Sequence, residues 1–356
     1  MEGFYMANHK TNRKAFGIAL MLIMIGILLT GTQVQAKRNV EKRNGLVTTV
    51  EIDALGEITD TVIDTLEFDA ANGEYPNIIQ VSENVYAITC TGDRDDGFLK
   101  TVEIATNGEI TDTVIDTLEF DAANGEYPNI IQVSEDIYAI TYQGKGNDGF
   151  LKTVEIATNG EITDTVIDTL EFDPVVASTP QIIPVSDAVY VIAYWGEYGD
   201  GFLKTVEIAT NGEITDTVID TLEFDSVMGL YPNIIHVSGD FFAIAYAGIY
   251  EYGYLKTVEI ATNGEITDTV IDTLEFDAAN GEYPNIIQVS ENVYAIAYEG
   301  TSGDGFLKTV EIATNGEITD TVIDTLEFDA ANGEYPNIIQ VSENVYAITY
   351  TQVLLG

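Results

Sequence analysis

The sequence predicts an all-β fold: a six-bladed β-propeller of four-stranded antiparallel blades. Three observations carry this. Thr49-Val50-Glu51-Ile52 recurs at Thr101, Thr153, Thr205, Thr257 and Thr309, always 52 residues on and without an insertion. A period near 50 residues is the mark of propellers and solenoids. Each unit is crowded with β-branched and aromatic residues, and no stretch after the leader combines a helical period with helix caps. The chain ends are complementary. Leu46 to Asp69 reads as a third and fourth strand, and Pro336 to Tyr350 as a first and second. Pairing them would make the sixth blade and latch the ring.

Residues 1–36 read as a signal peptide. His9, Lys10, Arg13 and Lys14 precede an apolar run from Ala15 to Leu29, and a short polar stretch ends at Ala36, where cleavage is expected. The run is short for a membrane span. An uncleaved N-terminal anchor is the alternative, and it is the only route to a membrane. Residues 37–44 form a basic linker, and residues 45–356 the propeller. The chain is expected to be secreted or displayed on the cell surface.

One unit shows how each blade is built. Pro76 to Ser82 makes a first strand, Glu83-Asn84 turns it, and Val85 to Thr89 makes the second. A loop, Thr91 to Gly97, leads to the third, Phe98 to Thr106. Asn107-Gly108 turns that strand into the fourth, Glu109 to Asp121. Asn-Gly between two such runs is a strong signal for a two-residue type I′ hairpin. The second-to-third loops and the blade-to-blade connections then share one face, which also carries most of the variation between copies. Asn72-Gly73 and its copies read as turns with positive φ.

The pattern PxIIxVSxxVYAIxYxG…GFLKTVEI…NGEITDTVIDTLEFD resembles propeller repeats of secreted or cell-surface proteins, especially archaeal ones. The resemblance covers nearly all of the chain after the leader. It implies the fold and says little about activity. The Gly-Gly pair of kelch repeats, the Trp-Asp of WD repeats and the sialidase Asp-box are missing. Asp93-Arg94-Asp95-Asp96-Gly97 approaches an integrin-type calcium loop in one blade only.

Composition narrows function. With 14 Lys and Arg against 59 Asp and Glu, the net charge is −45, which excludes nucleic acid as a direct partner. One Cys excludes a disulfide within the chain and a Cys-rich zinc site. The one His after the leader, His236, reads as a strand residue with a satisfied hydrogen bond. Arg94 is the sole Arg after the linker, too few for the Arg cluster that sialidase chemistry needs.

The middle blades depart from the consensus. They hold the single Trp, Trp195, with Tyr198, Tyr231, Tyr250 and Tyr252. Aromatic residues on neighbouring loops suit sugar or peptide recognition, so these five are the candidate ligand-binding residues. A second candidate set is acidic. The two-residue turn would set Glu103 opposite Asp112, with Asp116 on the same face and Lys100 on the other. Like charges directly opposed destabilise a sheet. Three accounts stay open: a solvated rim, a bulge that breaks the register, or a hard divalent cation such as Ca²⁺ held by Glu103, Asp112 and Asp116. No other cofactor is implied.

These readings favour a non-enzymatic binding or structural scaffold. Its partner would be an extracellular protein, a glycan or another copy of itself, bound on the variable-loop face. A divalent-cation-dependent surface adhesion protein is one alternative. A carboxylate-pair glycosidase or lyase is another.

Overall fold

The computed structural model describes residues 44–50, 62–331, 333–342 and 344–351. The predicted signal peptide and nearly all of the basic linker lie outside them. Among the described residues, no helix is long and apolar enough to cross a membrane.

The first strand, β1 (Gly45–Thr49), pairs with β2 (Asp64–Asp69) in a two-stranded sheet. Then come β3 (Glu74–Gln80), β4 (Val85–Thr91), β5 (Gly97–Glu103) and β6 (Asp116–Asp121), one four-stranded antiparallel sheet in simple sequence order. Four more such sheets follow over 126–173, 178–225, 230–277 and 282–329, and the strands Glu334–Ser342 and Val345–Thr351 form a final pair. The architecture is all-β, repeated and propeller-like. Among the described ladders none joins the first pair to the last, so the expected latch is not among the observed pairings.

β4 is buried along its length apart from Tyr86, because sheets cover it on both faces. Such a strand reads as a continuous apolar run rather than an alternation. β6 alternates, with Thr117 and Glu119 exposed between half-buried or buried neighbours, as an outer edge strand should. The cores lie between sheets: Leu99 and Phe120 of one sheet pack with Ile130, Tyr142 and Val154 of the next. Gly97 is required where β5 meets β6. A Cβ there would lie 2.3 Å from the Phe120 ring, and a bulge between Gly97 and Phe98 brings that ring over the glycine.

The β5–β6 turn corrects the expected register. The Gly108 amide donates to the Ala105 carbonyl at 2.8 Å and the Ala105 amide to Glu109 at 2.9 Å. Gly108 has φ +85°, and Asn107 is not left-handed. The turn therefore has three residues, with glycine alone in the left-handed position, rather than the type I′ pair. After an isolated bridge between Ile104 and Ile110 the chain bends, and the ladder resumes with Thr101 opposite Asp116. Asp112 is exposed in the bend, not paired with Glu103.

The lysine expected on the opposite face from Glu103 and Asp112 is partnered by a different acid. Lys100 reaches back to Asp69 of the preceding unit at 2.8 Å, and the same clasp recurs at Lys152–Asp121, Lys204–Asp173, Lys256–Asp225 and Lys308–Asp277. In four of the five a tyrosine hydroxyl joins, as Tyr142 does to Asp121 at 2.7 Å. Burial opposes the charge on these aspartates, but the lysine, the tyrosine and backbone amides outweigh it and hold each carboxyl below the usual range. Asp116 bridges sheets too: its carboxylate accepts the amides of Thr117 and of Ile162 in the next unit, both at 2.8 Å.

Candidate functional site

The second residue of each inner strand is Tyr75, Tyr127, Thr179, Tyr231, Tyr283 or Tyr335, and each precedes a proline. Proline cannot donate to the ladder, and the register there jumps from Glu74–Thr91 to Asn77–Thr89. In the resulting bulge all six residues are left-handed, with φ between 48° and 53°. That costs a non-glycine residue about 1–2 kcal/mol. Strain repeated at every copy belongs with a structure that over-determines it, and such strain gathers at functional sites. The positive φ therefore falls on these residues, not on Asn72-Gly73 as expected. Gly73 serves close approach instead: a Cβ there would lie 2.5 Å from the Gly45 backbone.

The six residues line a single cavity of about 310 Å³. Its wall is aromatic. Ring centroids lie 4.1 Å apart for Tyr75–Tyr127, 4.0 Å for Tyr231–Tyr283 and 4.3 Å for Tyr283–Tyr335. Burial, then hydrogen bonds to the Tyr231 and Tyr335 hydroxyls, pushes Tyr283 well above the usual tyrosine range. Thr179 is the one break in the tyrosine series, and there Trp195 joins the wall, 6.5 Å from Tyr231. Thr179 Oγ1 and Trp195 Nε1 are both buried without a hydrogen-bond partner.

The strand residue beside this ring differs among the copies while the scaffold stays the same. Its ladder pairs are Glu74–Thr91, Glu126–Gln143, Ser178–Trp195, Leu230–Ala247, Glu282–Glu299 and Glu334–Thr351. At Gln143 the polarity is satisfied. Its amide donates to Glu126 at 3.1 Å and to Asn147 at 3.0 Å, and its carbonyl accepts the Ser178 hydroxyl. At Glu299 it is not. Burial, then the charges of Glu282 and Glu334, pushes the Glu299 carboxyl up to about 7, against a hydrogen bond from the Tyr335 amide. Its Oε2 is buried and unpartnered. A carboxyl in that state can take a proton from water near neutral pH.

Of the five aromatic residues singled out from sequence, Trp195 and Tyr231 meet at the cavity. Tyr198, 85% exposed, and Tyr250, 72% exposed, sit on the outer loops, where Tyr252 lies 5.7 Å from Tyr250. Those loops do share a face with the blade connections: the Gly125 amide bonds the Asp95 carbonyl at 2.6 Å, and the Gly229 amide that of Gly199 at 2.7 Å. Glu103 accepts the Thr111 hydroxyl at 3.1 Å. Asp116 lines a hollow with Glu155 and Asp164 of the next sheet, rather than with Glu103 and Asp112. Among the described residues no group of three His, Cys, Asp or Glu could hold a metal ion. His236 Nε2 bonds the Gly239 carbonyl at 2.8 Å, as a satisfied strand residue does. Cys90 is buried, and burial pushes its thiol up to about 12, far from nucleophilic use.

Sequence reasoning missed Glu299 and the ring tyrosines other than Tyr231. The signal for Glu299 was there: positions 91, 143, 195, 247, 299 and 351 read Thr, Gln, Trp, Ala, Glu and Thr in otherwise near-identical copies.

No family model matches the chain, and no curated protein does. Solved structures do. A candidate 6-phosphogluconolactonase from Bacteroides uniformis is 12% identical, with a TM-score of 0.60 over 81% of each chain. Another from Bacteroides fragilis is 16% identical, with a TM-score of 0.58 over 81% of this chain and 80% of that one. A periplasmic gluconolactonase from Pseudomonas aeruginosa is 11% identical, with a TM-score of 0.45 over 82% of this chain and 94% of that one. At these identities the likeness shows the propeller-like fold and no specific family. The expectation of a non-enzymatic scaffold is nonetheless corrected. The solved structures that share this fold are named as candidate 6-phosphogluconolactonases, enzymes rather than scaffolds.

Proposed function

We propose that the chain is a hydrolase acting on a sugar-like lactone, with Glu299 as general base at the tyrosine-ringed cavity. The observation that carries this is Glu299 itself: a carboxyl raised to about 7, bonded to the amide of the cavity residue Tyr335. In the reaction Glu299 takes a proton from water as the water oxygen attacks the lactone carbonyl carbon. The ring C–O bond then breaks, and the proton passes to the departing ring oxygen. The product is an open-chain hydroxy acid. The hydroxyls of Tyr127, Tyr231 and Tyr283, which burial pushes above the usual tyrosine range, serve as donors to the oxyanion. The names of the fold neighbours support the substrate class.

The test is hydrolysis of D-glucono-1,5-lactone above its spontaneous rate. E299Q keeps the shape of the side chain and removes the base, so kcat/KM should fall about 10²–10⁴-fold. Equal rates in both proteins would refute the role of Glu299, and a wild-type rate no greater than the spontaneous one would refute the hydrolase reading.

The six-bladed closure belongs to the same proposal. All six equivalent ring positions line one cavity, which supports their convergence on one axis. Leu326 is 57% exposed where Leu222 and Leu274 are 8% exposed; a sixth blade packed from the two terminal strand pairs would cover it. The leader supports an extracytoplasmic location.

A further inference from the structure

We infer that the break in the tyrosine ring at Thr179 is a subsite for an uncharged polyhydroxy ring, which Trp195 Nε1 and Thr179 Oγ1 hydrogen-bond and which the surrounding carboxylates keep free of phosphorylated ligands. The choice of a lactone-like ring rests on the hydrolase reading. The place of binding does not.

Three observations combine. The first is space. Five of the six ring positions carry tyrosine, and the sixth, Thr179, puts a smaller side chain on the same cavity beside Trp195. The second is unspent hydrogen-bonding capacity. Trp195 can only donate, and its Nε1 is buried without a partner; the Thr179 hydroxyl beside the same cavity is in the same state. A buried donor without a partner costs about 1–3 kcal/mol, and a ligand that supplies the acceptor removes that cost. The neighbouring Ser178 hydroxyl is already held by Gln143, so the two open groups are particular to this corner.

The third observation is charge. Among the described residues, no Lys or Arg lines the cavity. The lysine repeated in every four-stranded sheet is held by an aspartate in each clasp. Glu282 and Glu334 directly precede the wall residues Tyr283 and Tyr335, and Glu299 bonds the latter's amide. A phosphate would meet like charge with no cation to receive it. A sugar ring, by contrast, presents apolar C–H faces to the aromatic wall and hydroxyls to the two open groups.

The test uses a stable probe, D-glucono-1,5-lactam, and its 6-phosphate, titrated by calorimetry into the full chain. The variant is T179Y/W195T, which rebuilds the Tyr75/Thr91 pair of the first sheet and so keeps a combination that the fold already accepts. Its melting temperature is measured alongside. The neutral lactam should bind wild type at least 10-fold more tightly than either the phosphate or the double variant. Equal affinity of wild type and a folded variant, equal affinity for the phosphate, or no lactam binding at all would each overturn the subsite. A variant that melts early is replaced by T179V, which removes only the hydroxyl and should still weaken the lactam several-fold; unchanged affinity there would overturn it. Lactam binding without lactone hydrolysis would defeat the hydrolase reading and leave the subsite standing. Hydrolysis that the double variant leaves unchanged would do the reverse.

Discussion

Gln143 and Glu299 occupy the same place in two near-identical sheets, yet they behave oppositely. Gln143 satisfies Glu126, Asn147 and Ser178. Glu299 is buried, faces Glu282 across the ladder and feels Glu334 from the next unit, so its carboxyl is destabilised as an anion. The backbone around them is the same. What differs is that side chain and two of its neighbours, Asn147 and Ser178 in one copy and Gly303 and Glu334 in the other, and with them the proton affinity of the position. A repeat protein can therefore hold an asymmetric site without altering its scaffold: the strained ring before the prolines is built once per unit, and the adjacent residue sets the chemistry.

The scaffold that the copies share can be broken most severely at the clasps, which tie each four-stranded sheet to the preceding unit in the same way. Lys256→Met leaves Asp225 and the Tyr246 hydroxyl without their cation. Removing one partner of a buried pair costs about 3 kcal/mol, and urea unfolding should report a loss of that order. The clasp aspartates also fix a pH dependence. Their folded pKa values are lowered, so their contribution is complete above the ordinary carboxylate range. It is lost as pH falls through the folded values. Thermal melts should therefore show stability falling below about pH 4, and K256M should be less sensitive to acid than wild type.

A smaller change makes one region resemble the other. Gln143→Glu removes the amide that donates to Glu126 and Asn147 and sets a carboxylate opposite Glu126. The new carboxyl should titrate high, as Glu299 does. A raised folded pKa means that the native state holds its proton longer, so stability should fall as pH rises above the ordinary carboxylate range. The expected loss is about 1–2 kcal/mol at pH 8, with little change at pH 4. Equal losses at both pH values would mean that the like-charge account of Glu299 is wrong.

The sequence made the repeat, the four strands and the sharing of one face by the variable loops legible, because strand patterning and turn residues are local. It also made Trp195 and Tyr231 visible, since aromatic departures from a consensus stand out. The turn at Asn107-Gly108 was misread because Asn-Gly fits both a type I′ pair and the end of a three-residue turn, and only backbone angles separate them. The Lys100–Asp69 clasp was hidden because it joins different units, whereas register reasoning considers one hairpin at a time. The tyrosine ring was hidden for a similar reason. Left-handed tyrosines before proline are locally unfavourable, and only the bulge and the packing around the cavity make them permissible.

The central claim is that one carboxylate, raised by burial and by its acidic neighbours, makes this site. The most direct test is the pH dependence of kcat/KM for D-glucono-1,5-lactone, corrected for spontaneous hydrolysis. A base must be unprotonated to act, so activity should rise with pH through an apparent pKa near 7, the value to which Glu299 is pushed. E299Q should lose that rising limb together with most of the rate. A limb of the same position and height in E299Q would contradict the account.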